Sequence, residues 1–240
     1  MTRIAILAAM PGELKPLVRG WQHQRRRGVD LWRKATGEAE WVAACAGVGS
    51  VSASHALLAA ESFGPLDRVV STGWAGALTP ELEAGRAYWV SGVIDAETGE
   101  RFATASSLDP RWLVSTPTVA DAAEKKNLAG KFSAALVDME AATVARMVSQ
   151  RQIPFYAVKG VSDAYDAKLP DFSRFLSANG RFRMVPFVLF ALFRPVLWPS
   201  LVQMGENSNR AAKSLAEALL DFFEERAHPN ERNGNPEYTR

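Results

Sequence analysis

The amino-acid sequence predicts an α/β protein: a single domain whose twisted, largely parallel (mixed) β-sheet is flanked by helices. Short runs of apolar residues, typical of strands buried on both faces, alternate along the chain with segments of helical composition. The 240 residues suffice for one domain with an ample core and do not require two. No internal repeat is apparent in the sequence.

The strands are predicted from continuous apolar runs that end at glycine, proline or charged residues. In chain order they cover residues 3–9, 31–35, 41–46, 69–71, 87–94, 114–119, 134–137 and 153–161. Composition, length or amphipathic spacing predicts helices at residues 13–19, 51–63, 120–128, 141–149 and 208–226. Residues 95–111 are rich in turn-forming residues and are assigned to no element.

A block from residue 184 to residue 202 is almost wholly apolar and nearly long enough to span a membrane. Its central Arg194 and three prolines argue against a spanning helix. We expect an extra helix packed on the domain or a dimer contact; the alternative is a hydrophobic lid or a peripheral membrane or lipid contact. The domain is predicted to cover residues 1–226, with an apolar insertion at 179–206 and a disordered tail at 227–240.

Bulk composition limits the classes of partner and the compartment. The formal net charge of +2 gives no reason to expect nucleic acid, and the run Arg25-Arg26-Arg27 is predicted to be a solvated turn. The single cysteine, Cys45, cannot form an internal disulfide, which favours a reducing compartment. The N-terminus does not resemble a signal peptide, so we expect a cytoplasmic protein.

The motifs that would indicate a cofactor or a metal are incomplete. Gly47 and Gly49 precede a predicted helix, but position 52 is serine, so the dinucleotide-binding fingerprint lacks its third glycine. The three histidines are scattered, which disfavours a metal site or a histidine-based triad. We expect neither a cofactor nor a metal.

Four carboxylates follow predicted strands: Glu13, Asp138, Glu140 and Asp163. Because open α/β sheets bind ligands beyond the carboxyl ends of their strands, these four are candidate site residues. A pair of carboxylates can protonate a leaving group while gripping a sugar, which favours an enzyme that cleaves nucleosides. Acidic residues at these places are often only helix caps, and that interpretation suits Asp138 best.

Five motifs that occur in order resemble those of one known family. They are Met10-x-x-Glu13-Leu14, Gly47-Val48-Gly49, Thr72-Gly73-x-Ala75-Gly76, Val137-Asp138-Met139-Glu140-Ala141 and Val161-Ser162-Asp163. Together they are similar to the purine nucleoside phosphorylase and uridine phosphorylase superfamily, nearest its adenine-releasing nucleosidases, which cleave methylthioadenosine and S-adenosylhomocysteine. The resemblance covers residues 3–176 and 208–223, and it implies a nucleoside phosphorylase-like fold, a purine nucleoside substrate and a homodimer.

The resemblance also implies roles for individual residues. Asp163 would bind the purine at N7 and N6 and protonate N7, while Glu13 would orient and activate the attacking water. Glu140 would hold the ribose hydroxyls, with Met139 packed beneath the sugar. The other residues implied to line the substrate site are Val48, Trp74, Ala75, Gly76, Val119 and Ser162. An acid beside the base and carboxylates near the sugar both stabilise the oxocarbenium character of the breaking bond.

Two positions depart from the nucleosidase pattern, and they leave other functions open. Trp74 stands where a small hydroxylated residue is usual, and Val119 stands where an aromatic ring stacks on adenine. Gly99-Glu100-Arg101-Phe102, Ala123-Glu124-Lys125-Lys126 and Arg194-Pro195 resemble the phosphorylase-like proteins associated with hopanoid biosynthesis, which are thought to remove adenine from adenosylhopane. That reaction is one alternative, and a non-catalytic nucleoside-binding protein is another.

Water is favoured over phosphate as the nucleophile. Phosphorylases of this superfamily clamp phosphate with arginines and glycine amides, whereas the first loop of this chain supplies Lys15 but no arginine. Glu13 in the same loop would repel an anion. Arg101 could still reach the site from elsewhere in the fold, so phosphate stays an alternative.

Overall fold

The structure is a computed structural model that describes residues 1–37, 39–106, 109–167 and 198–227, together with residues 175, 187 and 194. Side chains of the last helix are described as far as Phe223. Over these ranges the chain forms a single sheet with helices on both faces, so the predicted fold class is confirmed. Most of the apolar block at 184–202 and the predicted tail beyond residue 227 lie outside the described residues.

The described part of the chain contains twelve strands and five helices. The strands are β1 (Thr2–Ala8), β2 (Gln22–Arg26), β3 (Val29–Thr36), β4 (Ala39–Cys45), β5 (Arg68–Ser71), β6 (Trp74–Ala77), β7 (Ala87–Trp89), β8 (Gly92–Asp95), β9 (Arg101–Ala103), β10 (Trp112–Ser115), β11 (Leu136–Asp138) and β12 (Phe155–Asp163). The helices are α1 (Pro11–Leu14), α2 (Ser50–Glu61), α3 (Ala122–Phe132), α4 (Ala141–Ser149) and α5 (Trp198–Ala227).

The sheet is mixed, with a parallel central part. Its strand order is β2-β3-β4-β1-β5-β12-β6-β11-β10-β8-β9, and β7 pairs with β12. Parallel pairs join β4, β1, β5, β12 and β6, whereas the pairs β2–β3 and β3–β4 at one edge are antiparallel. Toward the other edge, β11, β10 and β8 are parallel, and the pairs β6–β11 and β8–β9 are antiparallel. The carboxyl ends of β1, β5 and β12 therefore meet at one side of the sheet, where a ligand site is expected.

Both faces of the central strands are buried, which explains their continuously apolar sequences. In β1, Ala5 and Leu7 join the cluster that includes side chains of α2 and α4. Ile4 and Ile6 point the other way, into a cluster built with α1 and α5. The helices thus cover the sheet from both sides and leave its strand ends free to form a site.

Three strands, β2, β6 and β9, were missed because each is either largely exposed or only three or four residues long. The segment predicted as an arginine-rich turn is mostly β2, whose side chains are largely exposed, and the turn follows at Arg27 and Gly28, both with positive φ. The short β6 lies where only a glycine-bearing turn was expected. The predicted strand at 87–94 is divided into β7 and β8, and β9 falls within the unassigned stretch at 95–111.

Two helix predictions had the wrong length. The helix expected at residues 13–19 is the four-residue α1, because Pro16 has no backbone N–H to continue the helical hydrogen bonds, although Lys15 before it still has helical φ and ψ. The helix expected at 208–226 is α5, which already begins at Trp198 and therefore takes in residues 198–206 of the predicted insertion. No helix among the described residues is long and apolar enough to cross a membrane.

Helix α5 packs closely on β12 because position 160 has no side chain. A Cβ atom added to Gly160 would lie 2.9 Å from the Cβ atom of Ala211 and 3.1 Å from its carbonyl oxygen. Since the second of these is backbone, the contact could be relieved only by moving α5 away from the sheet. Gly160 therefore fixes the approach of the helix whose other residues border the cavity described below.

We predict that Gly160→Ala destabilises the fold by about 1–3 kcal/mol, the usual cost of overpacking a filled core. The matched control is Gly130→Ala in α3, where an added Cβ atom meets nothing within 4 Å. That control should leave stability unchanged or raise it by up to about 1 kcal/mol, because alanine favours the helix. Urea unfolding of both variants measures the difference, and equal midpoints would contradict the account of α5 packing.

Candidate active site

A cavity of about 830 Å³ lies beyond the ends of the central strands, between the sheet and α5. Every residue predicted to bind or act on a substrate lines it, namely Glu13, Val48, Trp74, Ala75, Gly76, Val119, Met139, Glu140, Ser162 and Asp163. The segments that supply them follow β1, β4, β10 and β11 or belong to β6 and β12. The fold therefore brings together residues that lie up to 150 positions apart in sequence.

Glu13 is buried at the start of α1, and both of its carboxylate oxygens accept backbone hydrogen bonds. Oε2 accepts from the amides of Ala9 and Met10, each at 2.8 Å, and Oε1 accepts from the amide of Trp74 at 2.9 Å. Burial raises the pKa of Glu13 above its ordinary value, although these hydrogen bonds and the ammonium of Lys159 act against the shift. The result is a fixed carboxylate with enhanced basicity.

The position of Glu13 requires a glycine across from it. Gly73 has a φ of +125°, and a Cβ atom there would lie 2.9 Å from Oε1 of Glu13. The adjoining residue, Trp74, donates its indole N–H to the carbonyl of Ser208 in α5 at 3.0 Å. Its ring also approaches Gly12, where an added Cβ atom would lie 3.1 Å from it. Trp74 therefore contacts both the loop that holds Glu13 and helix α5 on the other side of the cavity.

A buried lysine that the sequence analysis did not single out supports this carboxylate cluster. Lys159 in β12 is 1% exposed, and its ammonium lies 2.9 Å from Oδ2 of Asp138, whose side chain is fully buried. The same ammonium donates to the hydroxyl of Ser71 and the carbonyl of Thr72, each at 3.2 Å. Burial lowers the pKa of Lys159, but Asp138, Glu140 and Glu13 together outweigh it and raise the value.

Asp138 has the geometry of a helix cap, as its sequence context suggested. Its Oδ2 accepts from the amide of Ala141 at 3.1 Å, and its Oδ1 accepts from the hydroxyl of Ser115 at 2.5 Å. That hydroxyl in turn accepts from the amide of Ala142 at 2.9 Å. Asp138 lines the cavity, yet its oxygens are engaged in holding the start of α4 and the ammonium of Lys159.

Glu140 is the acidic residue that immediately precedes α4, and its Oε1 accepts from the amide of Gly49 at 2.7 Å. Gly49 precedes α2 with a φ of +91°, so the contact joins the loop after β4 to the start of α4. Burial, reinforced by Asp138, raises the pKa of Glu140 to about 8, against the opposing effects of Lys159 and Gly49. Glu140 therefore carries a proton over much of the neutral range.

Asp163 ends β12 and forms an ion pair with a second buried lysine, Lys125 of α3. Lys125 is 1% exposed and also donates to the carbonyl of Ala164 at 2.7 Å. The other carboxylate oxygen of Asp163 accepts from the hydroxyl of Ser162 at 2.6 Å. Gly76 makes room for the pair, since a Cβ atom there would lie 3.0 Å from Oδ2 of Asp163 and 3.0 Å from Cε of Lys125.

The two lysines show where reading the sequence was incomplete. Lys159 is the only charged residue within the apolar run 153–161, and a charge in such a run signals a buried partner. The sequence assigns no role to Lys125, because the sequence of a helix does not show which strand end a lysine on that helix will face. Arg101, the arginine considered for phosphate binding, is not among the described residues that line the cavity. Its guanidinium carbon lies 5.2 Å from the centroid of the Trp112 ring.

The far wall of the cavity is apolar. Phe187, a described residue of the apolar block, lines it together with Met204 of α5, Val48 and the partly exposed Val119. Among the described cavity-lining residues, the only lysine and arginine are Lys125 and Arg25, and Arg25 lies 3.9 Å from Asp30 at a partly exposed position. In the described ranges, no group of three histidine, cysteine, aspartate or glutamate side chains is suited to hold a metal ion.

A family model described as the phosphorylase superfamily matches residues 3–125 and 110–181 of the chain, well over half of its length. The chain belongs to the phosphorylase superfamily. The predicted family resemblance is thereby confirmed, and membership agrees with the prediction of a nucleosidase or nucleoside phosphorylase. No curated protein sequence matches the chain.

Solved structures with the same fold span almost the whole of this phosphorylase-superfamily chain. The 5′-methylthioadenosine/S-adenosylhomocysteine nucleosidase of Helicobacter pylori, bound to butyl-thio-DADMe-Immucillin-A, has 18% identity and a TM-score of 0.71, covering 94% of this chain and 99% of its own. The futalosine hydrolase of H. pylori has 17% identity and a TM-score of 0.71, with coverages of 93% and 98%. The 5′-methylthioadenosine nucleosidase of Arabidopsis thaliana has 17% identity and a TM-score of 0.73, with coverages of 97% and 98%. At these identities the likeness establishes the fold.

We predict that Glu140 makes the fold less stable as pH rises from about 4.5, the ordinary value of the group, to about 8, its value in the folded protein. In this window the folded protein binds a proton that the unfolded chain releases, so the free energy of unfolding falls with increasing pH. Glu140→Gln cannot titrate and should show a weaker decline. Chemical unfolding at several pH values between 5 and 8 measures the slopes.

Glu217→Gln is the matched control, because Glu217 is exposed on α5. The control should follow the wild-type slope. A decline in Glu140→Gln as steep as that of the wild type would contradict the assignment of a buried, protonated carboxyl to Glu140.

Proposed function

We propose that this protein hydrolyses the N-glycosidic bond of a purine nucleoside, with adenine as the leaving base. The observation that carries the proposal is the presence of two buried carboxylates, Glu13 and Asp163, on one cavity together with Glu140. Cleavage of this bond creates positive charge on the ribose and negative charge on the purine. The reaction therefore needs carboxylates near the sugar and a proton source near the base.

Glu13 is the proposed base that activates water. Its raised pKa favours proton uptake, and its three backbone hydrogen bonds hold the carboxylate in one orientation. A fixed base costs less reorganisation in the transition state than a mobile one. As water attacks C1′ of the ribose, its proton passes to Glu13.

Three features favour water over phosphate. The amides of Ala9, Met10 and Trp74, which could otherwise cradle an anion, already donate to Glu13. The negative charge of Glu13 itself repels phosphate. The two described cations on the cavity wall lie elsewhere, since Lys125 pairs with Asp163 and Arg25 lies beside Asp30.

The leaving base and the sugar occupy different parts of the proposed site. Asp163, held by Ser162 and Lys125, faces the purine and delivers the proton to N7. Glu140 and Met139 also lie on the cavity wall. Glu140 is proposed to hold the ribose hydroxyls, and Met139 is proposed to pack beneath the sugar. A protonated Glu140 can donate a hydrogen bond to a hydroxyl as well as accept one.

The apolar wall supports a substrate with an apolar group at the 5′ position. Phe187 and Met204 present no charge to a ligand at that end of the cavity. A structure of the H. pylori nucleosidase, 16% identical, carries 5′-methylthioadenosine in its active site, and this nucleoside is a suitable first substrate for the present protein. Because Phe187 belongs to the apolar block, a lipid-bearing nucleoside such as adenosylhopane is the second candidate, with the block as a lid or lipid contact.

We also propose that the protein is a cytoplasmic homodimer. Val51 and Leu58, seven residues apart on α2, are 65% and 49% exposed, so one face of this helix presents apolar side chains to solvent. Such a face is commonly covered by a second subunit. The sole cysteine, Cys45, is a free and buried thiol, which supports a reducing compartment.

We predict that Glu13→Gln lowers kcat by about 10²–10⁴-fold, the usual contribution of a general base, with a much smaller change in substrate affinity. The substrate is first chosen among adenine nucleosides with hydroxyl, methylthio or long alkyl groups at the 5′ position. Purine release is followed by absorbance, and affinity is measured by calorimetry. Wild-type activity should decline at pH values below the raised pKa of Glu13, because a protonated base cannot accept the proton of water.

Glu217→Gln again serves as the exposed control and should match the wild type. Full activity of Glu13→Gln would contradict the role of this base. Tight nucleoside binding by the wild type without any release of purine would instead identify a non-catalytic binding protein.

A further inference from the structure

Lys125 is a buried cation at the end of the cavity where the purine is proposed to bind, and the proposed mechanism uses it only to hold Asp163. It lies in the first half of α3 and reaches the end of β12, where it pairs with Asp163. It is 1% exposed to solvent and nevertheless lines the cavity. A buried ammonium is costly unless its surroundings compensate for the lost hydration, so its retention at this place calls for an explanation.

The hydrogen bonds of Lys125 leave part of its donor capacity for a ligand. An ammonium group has three N–H donors. Among the described residues, two acceptors are found, a carboxylate oxygen of Asp163 and the carbonyl of Ala164. One N–H is therefore left at a group that borders the cavity and is almost fully shielded from solvent.

The backbone is arranged to admit this pair at the cavity wall. Gly76 lies opposite both partners, and a Cβ atom there would lie 3.0 Å from each. The other buried lysine, Lys159, lies 2.9 Å from Asp138 and already balances the carboxylate cluster near Glu13. Lys125 is therefore not needed to neutralise that cluster, and its described ion pair is with Asp163.

We propose that Lys125 supplies the proton that leaves with the purine, an inference that rests on the proposed nucleoside hydrolysis. In the resting ion pair the proton is on the Lys125 ammonium and Asp163 is a carboxylate. As C1′–N9 breaks, its electron pair moves onto the purine, and the proton passes from Lys125 through Asp163 to N7. The pair is left as a carboxylate and a neutral amine.

The remaining atoms also balance. The water oxygen forms the new bond to C1′ and keeps one hydrogen as the new hydroxyl, while its other proton passes to Glu13. The products are the free purine and a free ribose that keeps the 5′ group of the substrate. Glu13 then releases one proton to solvent and Lys125 takes one up, which restores the resting state. This assignment lets Asp163 act on N7 without itself storing the proton between turnovers.

The test compares two leaving groups in Lys125→Met, which keeps the length of the side chain but has no proton to give. Adenine needs protonation at N7 to leave its nucleoside. The base of the matching 6-chloropurine nucleoside leaves more readily without a proton, because chlorine withdraws electrons from the ring. We expect kcat for the adenine nucleoside to fall by about 100-fold or more, the size of a general-acid effect, and that for the chloropurine to fall by less than about tenfold.

Controls separate this role from a merely structural one. Lys126→Met, at the exposed neighbouring position, should leave both rates unchanged. Glu13→Gln should lower both rates by the same factor, because it acts on the water. Small alkylammonium ions added to Lys125→Ala should restore adenine release, while an alcohol of the same size should not.

Equal losses on the two substrates in Lys125→Met, or no loss on adenine, would overturn the inference and leave the proposed hydrolysis intact. Loss of folding in both Lys125→Met and Lys125→Gln, seen by circular dichroism, would assign Lys125 a structural role and also overturn it. Failure of the wild type to release base from any purine nucleoside would overturn the proposed function itself.

Discussion

A single buried ammonium, that of Lys159, allows three acidic side chains to share one end of the sheet. It pairs with Asp138, and its electrostatic interactions with Glu13 and Glu140 help to keep its own pKa raised despite burial. Removal of one partner from a buried ion pair typically costs about 3–5 kcal/mol, because the other charge remains without hydration. Lys159 also bonds to the backbone after β5, so the strand that carries it is tied to the loop that binds Glu13. The arrangement of these acidic side chains therefore depends on Lys159.

The cavity has two sides with different electrostatics. On one side, Glu13 accepts backbone hydrogen bonds and burial raises its pKa. On the other side, Asp163 is paired with a lysine and bound by a hydroxyl. In the proposed function the first side accepts a proton and the second supplies one, a separation that cleavage of a glycosidic bond with a poor leaving group requires. Each side depends on a glycine, Gly73 or Gly76, that lets a charged group approach the backbone.

The positions of the central strands along the chain, and the carboxylates that line the cavity, could be predicted because both depend on local patterns. An apolar run shows where a central strand lies, and the polar residue after it lies at the ligand-binding edge. The edge strand β2 could not be found this way, since its side chains face solvent and carry no apolar alternation. The ion pairs of Lys159 and Lys125 depend on which distant strand end each ammonium meets, and strand register decides that only in three dimensions. The short α1 was foreseeable from Pro16, which has no backbone N–H to continue the helical hydrogen bonds.

The proposed choice of water over phosphate rests on Glu13, whose carboxylate already accepts hydrogen bonds from three backbone amides that could otherwise bind an anion. It is tested most directly by measuring purine release from the preferred nucleoside in buffer freed of phosphate, before and after phosphate is added. Hydrolysis predicts full turnover without phosphate, a free sugar that carries no phosphate at C1′ as the product, and no acceleration when phosphate is added. Release that depends strictly on phosphate and yields a sugar 1-phosphate would contradict it.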